Sequence, residues 1–414
     1  MVFALLLSAQ QGFKLGYKQL ISCLFELEMF QKKLTRIPTE RAFSNAFDKL
    51  PLDILSTLCS ETHYQEFKDS GSRFHGLKVI IPDGTKISLP KSQSVLDKFG
   101  EGQGHYPQCL ALGFFELSSG TFEDFKIDHM NTAERKLFLN HVFDQSEQAL
   151  YVADAGFNGM AVLARAIEYG QQVLCPMSKN KMMRSMKSSK KRSKIIEVKL
   201  TRVHLKNHPT HLHLLGEIIK VRLIRTRGTT KLESQVLVTT LIDENIFKWK
   251  ELCELYRQRY TIEVAFRHLK VHLKLEAIRK RKLSKIIKSI HAAVALYNLS
   301  SLLRNCFDVP GLIPQKYGVK KFCFSFCLDR IIIFCKAIIK PTRGIKKQMN
   351  NCLKAIKNCW FVYKPWRMSP RICFTPLSKF STRNLGDQNQ IKRLAEMLEK
   401  EFQILGKEYG QLRA

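Results

Sequence analysis

The chain has 414 residues, 45% of them hydrophobic and 25% charged, which excludes an acidic disordered tail protein and a polytopic membrane protein. Its 68 Lys and Arg against 36 Asp and Glu leave a net charge of +32. That excess points to a polyanionic partner, nucleic acid ahead of an anionic membrane surface.

Residues 1–75 read as helical, because Tyr17, Leu20, Ile21, Leu24 and Phe25 recur at helical spacing and Leu50 to Leu58 offers a second apolar face. Met1 to Leu7 is apolar but lacks a basic flank, so no secretory signal is expected, and no uninterrupted apolar run approaches the ~18 residues of a membrane span. The twelve cysteines contain no C-x-x-C pair and are scattered singly, as reduced thiols in apolar cores are. A cytoplasmic protein is expected.

From Leu77 the period changes. Leu77 to Ile81 predicts a short strand ending at a turn, Pro82-Asp83-Gly84. Cys109 to Leu117 and Phe122 to Ile127 predict a hairpin about Ser118-Ser119-Gly120. Asn131-Thr132-Ala133-Glu134 opens a helix with Leu137, Phe138 and Val142 on its inner face. Ala149 to Ala153 predicts a buried strand ending at Asp154, Gly159 to Tyr169 a helix, and Gln172 to Pro176 a further strand. This order describes an α/β domain, a mixed sheet with helices packed on it.

Residues 179–194 then hold eight basic side chains and no acidic one, either a solvated loop or an arm that contacts nucleic acid. Residues 195–240 alternate as strands do. Helices are predicted from Trp249 to about Leu275 and from Ser284 to Leu303, then a basic Phe/Cys-rich stretch, and a closing amphipathic helix through Ile391, Leu394, Leu398, Phe402 and Leu405. The four histidines His204, His208, His211 and His213 lie in an alternating segment without a nearby Cys. Gly100, Gly102 and Gly104 lack the Lys-Ser/Thr of a phosphate-binding loop.

Charge is uneven along the chain. Residues 1–178 carry 17 basic and 20 acidic side chains, whereas residues 264–414 carry 31 basic and 8 acidic. Polyanion binding is therefore expected of the basic loop and the C-terminal third, away from the near-neutral half that holds the two aspartates.

Asp83 and Asp154 each follow a predicted strand and precede a glycine. A carboxylate there projects into the crevice where α/β sites form, although an isolated Asp in such a place is also a turn or helix-cap residue. On the helix after Trp249, Tyr256, Arg259, Glu263 and Lys270 fall along one stripe at 3.6 residues per turn, with Tyr260, Ile262, Phe266 and Leu269 on a separate apolar face. The stripe is either a salt-bridged solvent face or a surface that holds a metal through Glu263 and grips phosphate oxygens with its cations. Three carboxylates drawn from two strands and a helix can hold two Mg²⁺ ions for in-line phosphoryl transfer.

At these residues the sequence resembles the DDE transposases of bacterial insertion sequences, in the branch called insertion-sequence family four. Ile81-Pro82-Asp83-Gly84-Thr85 with Leu89-Pro90 looks like the block around the first catalytic Asp, and Val152-Ala153-Asp154-Ala155-Gly156-Phe157 like the second. Tyr256, Arg259, Glu263 and Lys270 match the family's Y-(2)-R-(3)-E-(6)-K signature at all four positions, with Tyr260 where the family usually has Trp.

The resemblance covers about residues 76–305. It implies a ribonuclease H-like catalytic domain over 76–178 and 241–305, a β-rich insertion with a basic loop over 179–240, a helical N-terminal region over 1–75 for DNA binding or dimerisation, and a basic, partly helical region over 306–414. It further implies Asp83, Asp154 and Glu263 as catalytic metal ligands and Tyr256, Arg259 and Lys270 as the grip on end phosphates. Two Mg²⁺ ions, with Mn²⁺ as a substitute, would be the cofactors. Double-stranded DNA (element ends and target) and a second copy of the chain would be the partners, with no membrane, at a bacterial nucleoid. A transposase-derived DNA-binding protein without catalysis, and a nuclease on the same fold, are the alternatives.

Overall fold

The computed structural model describes residues 1–25, 36–55, 57–58, 73–101, 106–143, 147–177, 184, 186, 189, 191–205, 209–226, 235–305, 319–339 and 343–363. The predicted closing helix, most of the basic loop, and Gly102 and Gly104 lie outside the described residues.

Among the described residues three helices come first: α1 (Val2–Gln10), α2 (Tyr17–Phe25) and α3 (Glu40–Lys49). The apolar N-terminal run is a core helix that buries Phe3, Leu5, Leu6 and Ala9. Helix α2 buries Leu20, Ile21 and Leu24, as its spacing predicts. Helix α3 is capped by Thr39, whose Oγ1 accepts the Ala42 N–H at 3.2 Å.

The central sheet has eight strands in the order β3-β2-β1-β4-β5-β8-β7-β6. They are β1 (Lys78–Ser88), β2 (Gln108–Glu116), β3 (Thr121–His129), β4 (Ala149–Val152), β5 (Gln172–Pro176), β6 (Ser193–Lys199), β7 (Ile218–Arg225) and β8 (Val236–Thr239). Helices α4 (Gln93–Phe99), α5 (Glu134–Phe143) and α6 (Met160–Glu168) lie between them in the chain. Strands β1, β4 and β5 are parallel, and the others pair antiparallel. The three strands of the insertion continue this same sheet, through β8 on β5 with Leu174 opposite Thr239.

Strand β1 departs from the sequence expectation. It runs straight through Pro82-Asp83-Gly84 and ends at Ser88, because β2 pairs with it from Ile80 opposite Glu116 to Ser88 opposite Gln108. Pro82 lies past Ile80, the last β1 residue paired with β4, so its missing N–H leaves no gap in that ladder. Asp83 is therefore inside a strand and not in a turn. The predicted hairpin is present, with Gly120 at φ +65° supplying the left-handed residue of its turn.

Alternation along β1 divides the core. Val79, Ile81 and Ile87 join one hydrophobic cluster, and Ile80 joins the other with Phe138, Leu163 and Val162 of α5 and α6. The first cluster receives α7 (Trp249–Arg257), α8 (Thr261–Arg267), α9 (Leu283–Asn305) and α10 (Phe324–Ile339). Helix α11 (Arg343–Asn358) and a two-stranded sheet of β9 (Val319–Phe322) and β10 (Trp360–Tyr363) follow.

Helix α9 is long and apolar enough to cross a membrane by length and composition alone, yet most of it is buried inside the protein. It is the central core helix. Its Asn298 side chain accepts the Phe122 N–H at 2.8 Å and donates to the Phe122 carbonyl at 2.8 Å, tying α9 to the outer strand β3. Lys288 Nζ donates to the carbonyls of Phe47 and Asp48 at 3.1 and 2.8 Å, which holds the C-terminal end of α3 against α9.

Candidate active site

Two carboxylates come near one another where β4 ends. Strands β1 and β4 pair in parallel from Lys78 opposite Ala149 to Ile80 opposite Tyr151; β1 continues to Asp83, and Asp154 follows the end of β4 near enough for its charge to act on Asp83.

Each aspartate is held by its own backbone. Asp83 Oδ1 accepts the Gly84 N–H at 3.0 Å, and Asp154 Oδ1 accepts the Gly156 N–H at 2.6 Å while capping the short 3₁₀ turn Ala155–Phe157. A Cβ at Gly156 would come within 2.8 Å of Asp154 Oδ1, so the glycine lets the carboxylate fold back onto the turn. Asp154 is thus a cap residue and a crevice residue together.

Burial raises the Asp83 carboxyl to about 6. The Arg259 guanidinium and the Gly84 N–H work against that rise, and the charges of Asp154 and Glu134 add to it. A buried carboxylate facing others of like charge is a place where a cation relieves free energy.

The helical segment that carries the signature is not one uniform α-helix. Residues Gln258–Tyr260 form a 3₁₀ turn between α7 and α8, and His268–His272 form a π turn after α8. At 3.0 residues per turn, three residues advance roughly 60° further around the axis than α-helical ones. Tyr260 accordingly leaves the apolar face where sequence spacing puts it and is 54% exposed, whereas Ile262, Phe266 and Leu269 are buried as expected. Tyr256 and Arg259 are buried at 9% exposure each, so the polar stripe is partly a packing surface. The Arg259 guanidinium lies 4.3 Å from the centre of the Tyr260 ring.

Glu263 is about half-exposed and pairs with Arg259 at 3.4 Å. The Arg259 charge also acts on Asp83, so one guanidinium interacts with the helix carboxylate and with a sheet carboxylate. Tyr256 packs beside Arg259, and burial pushes its phenol up to about 12. Lys270 reaches β1, where its Nζ donates to the Lys86 carbonyl at 2.6 Å and lies 3.9 Å from Glu276. Burial lowers the Lys270 ammonium from its ordinary value. Phe266 fastens the helix to the sheet against Phe122 and Phe125, with ring centres 5.6 and 6.5 Å apart.

The structure therefore brings Asp83 near Asp154 and links Glu263 to Asp83 through Arg259. The donor chemistry suits a hard divalent cation, which takes carboxylate oxygens. Among the described residues, no three His, Cys, Asp or Glu side chains are grouped closely enough to hold an ion. Of the four histidines, His213 pairs with Glu168 at 3.1 Å and His204 Nδ1 accepts the Thr201 N–H at 3.3 Å, while His208 lies outside the described residues.

Sequence reasoning passed over one residue. Glu134, read only as a helix-opening residue, sits in the first turn of α5 with its carboxylate against Gly84. Burial and then Asp154 raise its carboxyl above the ordinary value. The available signal was the Asp-Gly pair itself, since a glycine inside a strand marks a close approach by something else.

Comparison with known proteins gives one family. The family described as "Transposase DDE domain" matches residues 74–299. No curated protein matches the chain. Among solved structures, a cryo-EM structure of the piggyBac transposase synaptic complex with hairpin DNA is similar at 8% identity, covering 85% of this chain and 74% of that one. The TM-score is 0.43. The match over residues 74–299, more than half of the 414-residue chain, takes in β1, β4 and the signature helix: the chain belongs to the transposase DDE domain family.

Proposed function

We propose that this chain is a DNA transposase that cuts phosphodiesters at the ends of a mobile element and joins the freed 3′-hydroxyls to target DNA. The observation that carries this reading is the proximity of Asp83 on β1 to Asp154 just past β4, with Arg259 acting on both Asp83 and Glu263, inside a segment that matches the family. The strand order β3-β2-β1-β4-β5 supports a ribonuclease H-like core. The Tyr256, Arg259, Glu263 and Lys270 spacing supports the insertion-sequence-family-four branch, in a bacterial cell.

Asp83, Asp154 and Glu263 would hold Mg²⁺ ions, or Mn²⁺ in their place. When bound, the metal supplies a Lewis acid for the phosphodiester and lowers the pKa of an attacking water or hydroxyl. The chain's own residues do the positioning. Backbone N–H groups of Gly84 and Gly156 keep Asp83 and Asp154 oriented. Arg259 and Lys270 are placed to exchange their internal partners for phosphate oxygens, a bidentate fork in one case and a point charge in the other. Tyr256 braces Arg259 from the buried side. Burial within the crevice strengthens every such contact.

The partner is double-stranded DNA, gripped by the basic loop and the C-terminal third, with two copies of the chain on paired ends. The test is cleavage and joining of end-sequence DNA in Mg²⁺ by the full chain. Asp83→Asn, Asp154→Asn and Glu263→Gln are each expected to abolish both steps, and near-normal turnover in all three would overturn the assignment. A silent DNA-binding protein would bind ends without cutting them, and a simple nuclease would cut without joining.

A further inference from the structure

We propose that Cys323 and Cys359 are a thiol pair that oxidises to a disulfide and so closes the α10–α11 hairpin at its root. The two residues are some 36 positions apart in sequence and meet in space. Strand β9 pairs antiparallel with β10, from Val319 opposite Tyr363 to Phe322 opposite Trp360. The next pair in that ladder is Cys323 and Cys359, where the Cys323 N–H donates to the Cys359 carbonyl at 3.2 Å. Directly opposed residues on antiparallel strands have Cα atoms about 4.5–5.5 Å apart, inside the roughly 4.4–6.8 Å that a disulfide spans.

The side chains meet as well as the backbones. Burial, then the charge of Cys323 and a hydrogen bond between the two thiols, raise the Cys359 thiol above its ordinary value. The Cys323 sulfur also lies 3.1 Å from Ser325 Oγ, which keeps it over the first turn of α10. Accessibility separates this pair from its neighbours. Cys327, Cys335 and Cys352 of the same hairpin are buried, whereas Cys323 and Cys359 are partly exposed, so an oxidant in solution reaches these two first. Phe324, next in the chain, stacks on His268 with ring centres 4.3 Å apart and planes within 7°. His268 opens the π turn that carries Lys270. A bond at Cys323 therefore fastens α10 where it packs on the outer end of the signature segment.

The oxidant is a small disulfide such as oxidised glutathione. One cysteine thiolate attacks a sulfur of that disulfide, whose S–S bond breaks and releases one thiol. The other cysteine thiolate attacks the protein sulfur of the mixed disulfide and releases the second thiol. The protein gives up two electrons and two protons, and the small disulfide takes them up as two thiols.

The experiment incubates the reduced full chain with oxidised glutathione, caps the remaining thiols under denaturing conditions and maps the peptides by mass spectrometry. A peptide pair joined through Cys323 and Cys359 is expected, and dithiothreitol should return both thiols. Cys23 and Cys253, also partly exposed but on α2 and α7, should be joined to no other cysteine. In Cys323→Ser, Cys359 should carry glutathione instead. Amide exchange in α10 and α11 should slow by about tenfold or more when the parent is oxidised, and not in Cys323→Ser, because the closed loop restricts opening of the hairpin.

Free thiols at both positions, glutathione on each separately, or Cys323 joined to Cys327 would overturn the pairing. A joined pair with unchanged amide exchange would overturn the clamp. If Cys323→Ser does not fold, the peptide map of the parent and its reversal by dithiothreitol still decide the pairing.

Discussion

The two sides of the active site are built by opposite means. On the sheet side, Asp83 and Asp154 are short side chains locked by hydrogen bonds to the very next turn of backbone, and their like charges are left facing one another. On the helix side, Arg259, Glu263 and Lys270 are long side chains whose charges are already matched within the protein, Arg259 by Glu263 and Lys270 by Glu276 and a strand carbonyl. The sheet side holds an unmet demand for positive charge. The helix side has none, and a phosphate must displace existing partners to be held there. One half is ordered in advance, and the other is ordered by its ligand.

The largest expected effect tests the sheet side. Asp83→Asn and Asp154→Asn should each lower DNA cleavage by about a thousandfold, since charge stabilisation by a metal is worth several kcal/mol and each ~1.4 kcal/mol is tenfold. Gel assays of end-labelled DNA measure this directly, and a loss of only a few-fold would place the chemistry elsewhere.

Next in size is the helix side. Arg259→Ala should weaken end binding by roughly tenfold and reduce the salt slope of binding by about one, with a smaller loss for Lys270→Ala because its ammonium must first leave Lys86. Fluorescence anisotropy across a salt series checks both, and equal losses would erase the distinction between the two cations.

The third effect is on stability. The folded carboxyl of Asp83 is raised to about 6, so its ionisation opposes folding above that pH and the opposition fades as pH falls toward the unfolded value of 3.8. In metal-free protein, Asp83→Asn should therefore add on the order of 1 kcal/mol at pH 7 and nothing below pH ~4. Urea melts at the two pH values decide it. The smallest effect belongs to Tyr260→Ala, expected within about 0.5 kcal/mol because the ring is 54% exposed.

Much of this fold is legible in local sequence. The hairpin about Gly120, the helix opened by Glu134, and strands β4 and β5 follow from period and turn chemistry within a dozen residues. Pro82-Asp83-Gly84 is misread for the same reason: turn propensity is local, and the pairing of β1 with β2 that overrides it joins residues some 30 positions apart. The continuation of the sheet through β8 depends on contacts between Leu174 and Thr239, which no local pattern reveals.

The site divides in the same way. Asp83, Asp154 and the four signature residues are visible as spacing. The exposure of Tyr260 depends on a 3₁₀ turn that periodicity assumes away, and Glu134 enters only because α5 folds back over β1.

Asn298 bears on how the protein behaves when crowded. Strand β3 is an outer strand, and an outer strand with free N–H and C=O groups is a template for the strand of another molecule. By bonding both backbone groups of Phe122, the Asn298 amide occupies the position such a strand would take. A core helix thus blocks intermolecular pairing at that position. Replacing Asn298 with Leu would keep the bulk of the helix face but reopen that edge, and the consequence would be seen in solubility and refolding yield before it was seen in activity.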